Sequence, residues 1–199
     1  MLDTLRISEI FYSLQGESST VGLPTVFIRL TGCPLRCVYC DTSYAFSGGV
    51  KMAFDAIFAE VEKYHCQYVC VTGGEPLAQR ACINLLTQLV DLGYFVSLET
   101  SGALNVSEVD SRVIKIMDLK TPSSGEMDKN CYENMAFLSA QDEVKFVIAN
   151  EDDYIWSKNI LKQYDLTKHC RVLFSPVAEQ QDPTQLAEKI LNDKLAVRF

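Results

Sequence analysis

The sequence predicts an α/β fold, a partial and modified TIM-like barrel of about six parallel β/α units. Three observations point there. Six short apolar runs recur along the chain, helical apolar faces fall between several of them, and 199 residues fall short of the roughly 250 that eight complete units need. Strands buried on both faces read as continuous apolar runs, and right-handed crossovers wind a series of them toward a barrel.

In order, the strand-like runs lie at 26–30, 68–71, 95–98, 113–117, 144–148 and 172–174. Phe54, Ile57, Phe58 and Val61 recur at the spacing of one helical face, and Cys82, Leu85, Leu86, Leu89 and Val90 mark a second. Asp182 followed by Pro183 has the form of an N-cap and first-turn proline ahead of Leu186 and Ile190. Residues 195–199 are again strand-like. No repeat, low-complexity tract or linker divides the sequence, so one domain spanning 1–199 is expected.

A hydrophobic content of 48% can supply a sizeable core. No charged-then-apolar amino terminus and no long uncharged apolar stretch marks secretion or membrane insertion, so the expected home is the cytoplasm, with no membrane partner. Eighteen basic against twenty-six acidic side chains give a net charge of -8, which opposes the attraction to phosphate that drives nucleic-acid binding. A small-molecule substrate is expected and nucleic acid is not. In a reducing compartment, eight cysteines fit thiols and a cluster better than a disulfide framework.

Cys33, Cys37 and Cys40 stand in the run Thr-Gly-Cys-Pro-Leu-Arg-Cys-Val-Tyr-Cys. Thiolates at this spacing can hold three irons of a [4Fe-4S] cluster, leaving the fourth open to a small molecule. A structural zinc site wants four ligands, often as two pairs, and no second pair lies nearby. Cys66 and Cys70 repeat the first spacing, but Gly73 stands where a third cysteine would be needed, so this pair reads as a decoy. Cys70 lies in an apolar run, and Cys82, Cys131 and Cys170 are scattered singly, which suits small hydrophobes. His65 and His169 read as surface or hydrogen-bonded residues.

Chemistry in barrels collects in the loops after the strands. The cysteine loop follows the first predicted strand, Thr72-Gly73-Gly74-Glu75-Pro76 the second, Glu99-Thr100-Ser101-Gly102 the third and Asp118-Leu119-Lys120 the fourth. Two glycines let the backbone approach a ligand closely. Phe174-Ser175-Pro176-Val177 closes the sixth.

The Cys-x3-Cys-x2-Cys spacing followed by Gly73-Gly74-Glu75 resembles the radical S-adenosylmethionine superfamily. There the cofactor's amino and carboxylate groups chelate the open iron, and the Gly-Gly-Glu motif binds its methionine amino group. Together with Phe11-Tyr12-Ser13-Leu14-Gln15-Gly16-Glu17, Arg29 and Cys40-Asp41-Thr42, essentially the whole chain resembles the 7-carboxy-7-deazaguanine synthase family. The resemblance implies a homodimer that converts 6-carboxy-5,6,7,8-tetrahydropterin to 7-carboxy-7-deazaguanine with loss of ammonia. It implies a 5'-deoxyadenosyl radical that removes hydrogen from C6, and an electron donor such as flavodoxin or ferredoxin.

The resemblance also assigns residues. Leu14, Gln15, Gly16, Glu17, Arg29 and Thr72 would bind the pterin; Tyr39, Cys40, Asp41, Gly74, Asp118, Leu119 and Lys120 would bind S-adenosylmethionine; Thr42 would ligate Mg2+. Glu99 could face the same pocket or serve as a buried structural carboxylate. The family's Gln-Gly-Glu-Gly is Gln15-Gly16-Glu17-Ser18 here, and its carboxyl tail, which holds a substrate contact, extends past Phe199, so truncation is an open alternative. Two rivals remain: a glycyl-radical-enzyme activase acting on a partner protein, and a non-catalytic iron-sulfur electron carrier. Gln15, Glu17, Arg29 and Thr42 argue for a small-molecule pocket over the first, and the three-cysteine site argues against the second.

Overall fold

The computed structural model describes residues 4–199. The elements run β1 (Thr4–Leu14), β2 (Pro24–Leu30), β3 (Val50–Ala53), α1 (Phe54–Glu62), β4 (Tyr68–Gly73), α2 (Cys82–Asp91), β5 (Phe95–Thr100), β6 (Ile114–Leu119), β7 (Glu143–Ile148), α3 (Glu151–Gln163), α4 (Leu166–His169), β8 (Arg171–Pro176) and α5 (Pro183–Asn192). The six apolar runs are β2 and β4 through β8, and the three expected helices are α1, α2 and α5. Asp182 caps α5, its side chain accepting from Gln185 N.

The chain divides into two compact units. One takes in the chain through Pro34 with Asp41–Thr100 and Val106–Lys115; the other comprises Leu35–Cys40, Ser101–Asn105 and Ile116–Phe199. In the first unit the strand order is β3-β1-β2-β4-β5. The strands β2, β4 and β5 are parallel, while β1 runs antiparallel to both β2 and β3. In the second unit β6, β7 and β8 are parallel neighbours, and Arg198 bridges to Leu173 beside β8.

Strand register divides the first unit's sheet into two chemically different faces, because successive side chains point to opposite sides. Ile10, Ile28, Val71 and Leu98 are cross-strand neighbours on one face and join Phe54, Ile57 and Val61 of α1 and Leu85, Leu86 and Leu89 of α2 in one core. Each such buried side chain stabilises by about 1.5–3 kcal/mol. The opposite face carries Phe11, Phe27, Cys70 and Ser97 in one row and Glu9, Arg29 and Thr72 in the next. In the second unit, Met117, Leu119, Val144, Phe146, Ile148, Val172 and Phe174 pack against Ile160 and Leu161 of α3 and Leu186 and Ile190 of α5.

Two differences from the expected layout matter for the site. The edge strands β1 and β3 are additional and antiparallel. The motif residues Thr72 and Gly73, Glu99 and Thr100, and Asp118 and Leu119 end their strands and do not belong to the loops beyond. Strand backbone therefore fixes these side chains, which holds them more firmly than a mobile connection could.

Candidate active site

The row that ends in Thr72 gains a fourth member from β5. Glu99 receives a hydrogen bond from Thr72 Oγ1 at 2.8 Å on Oε2 and from Gln15 Nε2 at 3.3 Å on Oε1. Gln15, just past β1, is buried and locked by its backbone: its N donates to Leu23 O at 2.9 Å and its O accepts from Gly22 N at 2.7 Å. Its Oε1 accepts from Glu17 N at 3.2 Å. One carboxylate thus joins two residues expected to read the substrate, an arrangement that suits both a pocket residue and a structural carboxylate.

Arg29 Nε donates to Glu9 Oε1 at 2.8 Å, and the Tyr44 hydroxyl donates to the same oxygen at 2.7 Å. The guanidinium also lies over the rings of Phe11 and Tyr44, 5.8 and 5.9 Å from their centroids. The Tyr44 bond holds the Glu9 carboxyl below its usual range, with Arg29 adding to the effect against partial burial. Planar guanidinium, flanking rings and a fixed partner pre-orient Arg29 for a second anion. Glu9 and Tyr44 are absent from the sequence reading, since nothing local to either marks it.

Leu14 and Glu17 are exposed at this end of β1, and an added Cβ at Gly16 would meet nothing within 4 Å. Ser18 adopts φ 66°, a conformation that favours glycine, which accounts for the family's glycine at this position. Its hydroxyl lies 2.9 Å from that of Thr20 and accepts from Thr20 N at 3.2 Å, which offsets part of the cost. The turn persists without its glycine.

After β4, Gly74 N donates to Leu30 O at 3.2 Å and Glu75 N to Gly32 O at 2.8 Å, zipping this turn to the start of the cysteine loop. A Cβ on Gly74 would lie 2.3 Å from Gly32 O and 2.9 Å from Cys33 Cβ, so only glycine fits. Glu75 itself is wholly buried: it accepts from Leu77 N at 3.0 Å and from Thr100 Oγ1 at 2.9 Å. Its carboxylate shapes the turn. Thr42 follows the loop, its Oγ1 donating to Asp41 Oδ1 at 2.7 Å. With its proton committed there, its lone pairs are left to face a cation.

In the second unit, Lys120 Nζ lies 3.0 Å and Lys145 Nζ 3.8 Å from Asp118 Oδ2, while Asp118 Oδ1 is buried without a hydrogen-bond partner. Burial pulls the Lys120 ammonium down, but the adjacent Asp118 and Cys37 outweigh it and hold Lys120 above its usual range. Asn130 binds the Lys120 backbone on both sides, accepting from its N and donating to its O at 2.9 Å. The side chain of Leu119 is fully buried in the core, which leaves its backbone as the available part. Lys145 is a third residue without a sequence signal; the pairing of Asp118 with Lys145 across β6 and β7 brings it in.

Cys33, Cys37 and Cys40 are half-buried, and none of the eight cysteines is in a disulfide. Among the described residues no three His, Cys, Asp or Glu side chains meet as a single ion requires. A [4Fe-4S] cube makes a different demand, one thiolate per iron, and three soft donors from one loop fit it. Within the first unit, the close approach of Gly74 to Cys33 leaves room there for backbone alone. Burial pushes the Cys70 and Cys82 thiols well up, so neither offers a thiolate. His65 and His169 are exposed.

The Radical SAM superfamily pattern matches residues 27–120, which spans the cysteine loop and the glycine turn. The 7-carboxy-7-deazaguanine synthase of Chlorobaculum tepidum is 46% identical over 98% of this chain and 90% of that protein. This chain belongs to the 7-carboxy-7-deazaguanine synthase family. The synthase of Koribacter versatilis is 43% identical over 98% of this chain and 93% of its own length. The crystal structure of QueE from Escherichia coli shares the fold, with a TM-score of 0.81 over 98% of this chain and 92% of that one at 22% identity. As a radical S-adenosylmethionine enzyme of the synthase family, this chain uses a [4Fe-4S] cluster and that cofactor, and its family is one of carbon-nitrogen lyases in queuosine biosynthesis.

Proposed function

We propose that this chain converts 6-carboxy-5,6,7,8-tetrahydropterin to 7-carboxy-7-deazaguanine and ammonia, acting as a single domain over 1–199 in a cytoplasmic homodimer supplied with electrons by a flavodoxin or ferredoxin. The observation that supports this most is the joined group of Gln15, Thr72 and Glu99, with Arg29 next to Thr72 in register. A carboxytetrahydropterin has a flat edge of donors and acceptors and a carboxylate. A carboxylate, an amide and a hydroxyl match the edge, and an oriented guanidinium matches the anion.

When bound, the cluster and S-adenosylmethionine supply the radical chemistry at C6. The protein's own work is to bind, orient and exclude. Glu99 accepts from the pterin's amino edge, Gln15 and Thr72 fix the ring in plane, and Arg29 holds the carboxylate. The Leu14 and Gly16 backbone and Glu17 close the pocket's rim. Thr42 would hold Mg2+, an ion that draws on few protein ligands and would polarise substrate oxygens. Cys33, Cys37 and Cys40 hold the cluster. By the family pattern, Tyr39, Cys40, Asp41, Gly74 and the segment Asp118, Leu119 and Lys120 bind the cofactor. Holding C6 in one orientation converts an unselective reagent into a specific one.

The test is anaerobic turnover by reconstituted protein with reductant, S-adenosylmethionine, Mg2+ and carboxytetrahydropterin. Product of the mass of 7-carboxy-7-deazaguanine, with one ammonia per molecule, supports the reading. Unchanged pterin alongside an intact cluster and bound cofactor contradicts it.

A further inference from the structure

We propose that Thr121 is a positioning residue, which fixes the Tyr39 ring between two cluster cysteines by relaying it to the backbone of β7. The inference rests on the reading of residues 39–41 as cofactor-binding. Thr121 is fully buried, and its Oγ1 lies 2.9 Å from Val147 O and 3.2 Å from the Tyr39 hydroxyl. A threonine hydroxyl has one proton and a carbonyl can only accept. The Thr121 proton therefore goes to Val147 O, and Tyr39 must donate to Thr121.

The surrounding bonds hold other parts of the loop. Val38 N donates to Ser124 O at 3.0 Å and Arg36 N to Glu126 Oε1 at 2.6 Å, which fix backbone, while the Ser124 hydroxyl donates to Thr121 O at 2.6 Å and braces the turn. Among the described residues, the Thr121 hydroxyl is the group that holds the Tyr39 phenol. The loop backbone would stand without it, but the ring would gain a rotation. Tyr39 lies between Cys37 and Cys40 in the sequence and directly precedes Cys40, so on the proposed reading its ring orientation bears on cofactor binding.

The experiment measures the S-adenosylmethionine dissociation constant of cluster-loaded protein under anaerobic conditions, with iron and sulfide per chain as a control. Thr121→Val should weaken binding about fivefold, the change that one ordinary hydrogen bond converts to, at unchanged cluster content. Thr121→Ser should restore wild-type affinity, Tyr39→Phe should match Thr121→Val, and the double variant should be no weaker than either alone. Unchanged affinity in Thr121→Val, no rescue by serine, or additive losses overturn the relay. If the valine variant loses its cluster, the comparison of Tyr39→Phe with Thr121→Ser decides, because equal affinities there also overturn it. A wild-type protein that holds its cluster but binds no cofactor defeats the underlying reading and the relay with it.

Discussion

At the scale of single residues, Glu99 is the pivot of the proposed substrate recognition, since both its oxygens are engaged by Gln15 and Thr72, the residues proposed to face the pterin. Glu99→Gln keeps the shape but removes the charge and one acceptor. Losing a charge-assisted hydrogen bond costs about 2 kcal/mol, so kcat/KM for the pterin should fall roughly thirtyfold. Affinity for S-adenosylmethionine, titrated on the same protein, should not change. Thr42 is tested by a different signature. Its hydroxyl donates to the Asp41 carboxylate, which is not a cluster ligand. Thr42→Ala should therefore lower turnover and raise the Mg2+ needed for half-maximal rate, with iron content and cofactor binding unaltered. A rate curve against Mg2+ that superposes on wild type would remove Thr42 from the metal site.

At the scale of elements, the close approach of the glycine turn to the cysteine loop is the least forgiving contact. The Cβ of Gly74→Ala would overlap backbone at Gly32 O, 2.3 Å away, and backbone cannot swing aside as a side chain can. Overpacking of this kind costs about 1–3 kcal/mol. Reconstituted Gly74→Ala should carry much less iron than wild type, while Gly16→Ala, with nothing within 4 Å, should load normally. This contact is half legible in the sequence, where paired glycines announce a close approach without naming its partner. The parallel strands were equally open to reading, because burial on both faces makes each a continuous apolar run. The strand β1 was not. Leu5 and Ile7 are buried, then the register shifts between Ile7 and Glu9, and the next residue packed against the core is the half-buried Ile10. One bulge breaks the period of two on which strand recognition depends. The α3 helix opens on an Asn150 cap and three acidic residues, a start signal that is present but passes unread beside the stronger apolar patterns. In the site, the cysteine spacing is local and readable, whereas Gln15 and Glu99 meet across 84 residues of sequence. Only strand pairing brings them together.

At the scale of the whole molecule, a net charge of -8 sets what the protein can approach. Among the described residues no helix is long and apolar enough to cross a membrane. An acidic surface repels a polyphosphate backbone, so purified protein should show no tight, salt-sensitive binding to tRNA, even if its product later enters a tRNA modification. A titration of labelled tRNA at low and at physiological salt checks this. The central claim is the proposal that strand-borne groups hold the pterin so that hydrogen leaves from C6. It is tested most directly with carboxytetrahydropterin carrying deuterium at C6. The account predicts deuterium in the nucleoside portion of S-adenosylmethionine recovered after turnover. Turnover that leaves the recovered cofactor free of label, with all deuterium in product or solvent, would contradict it.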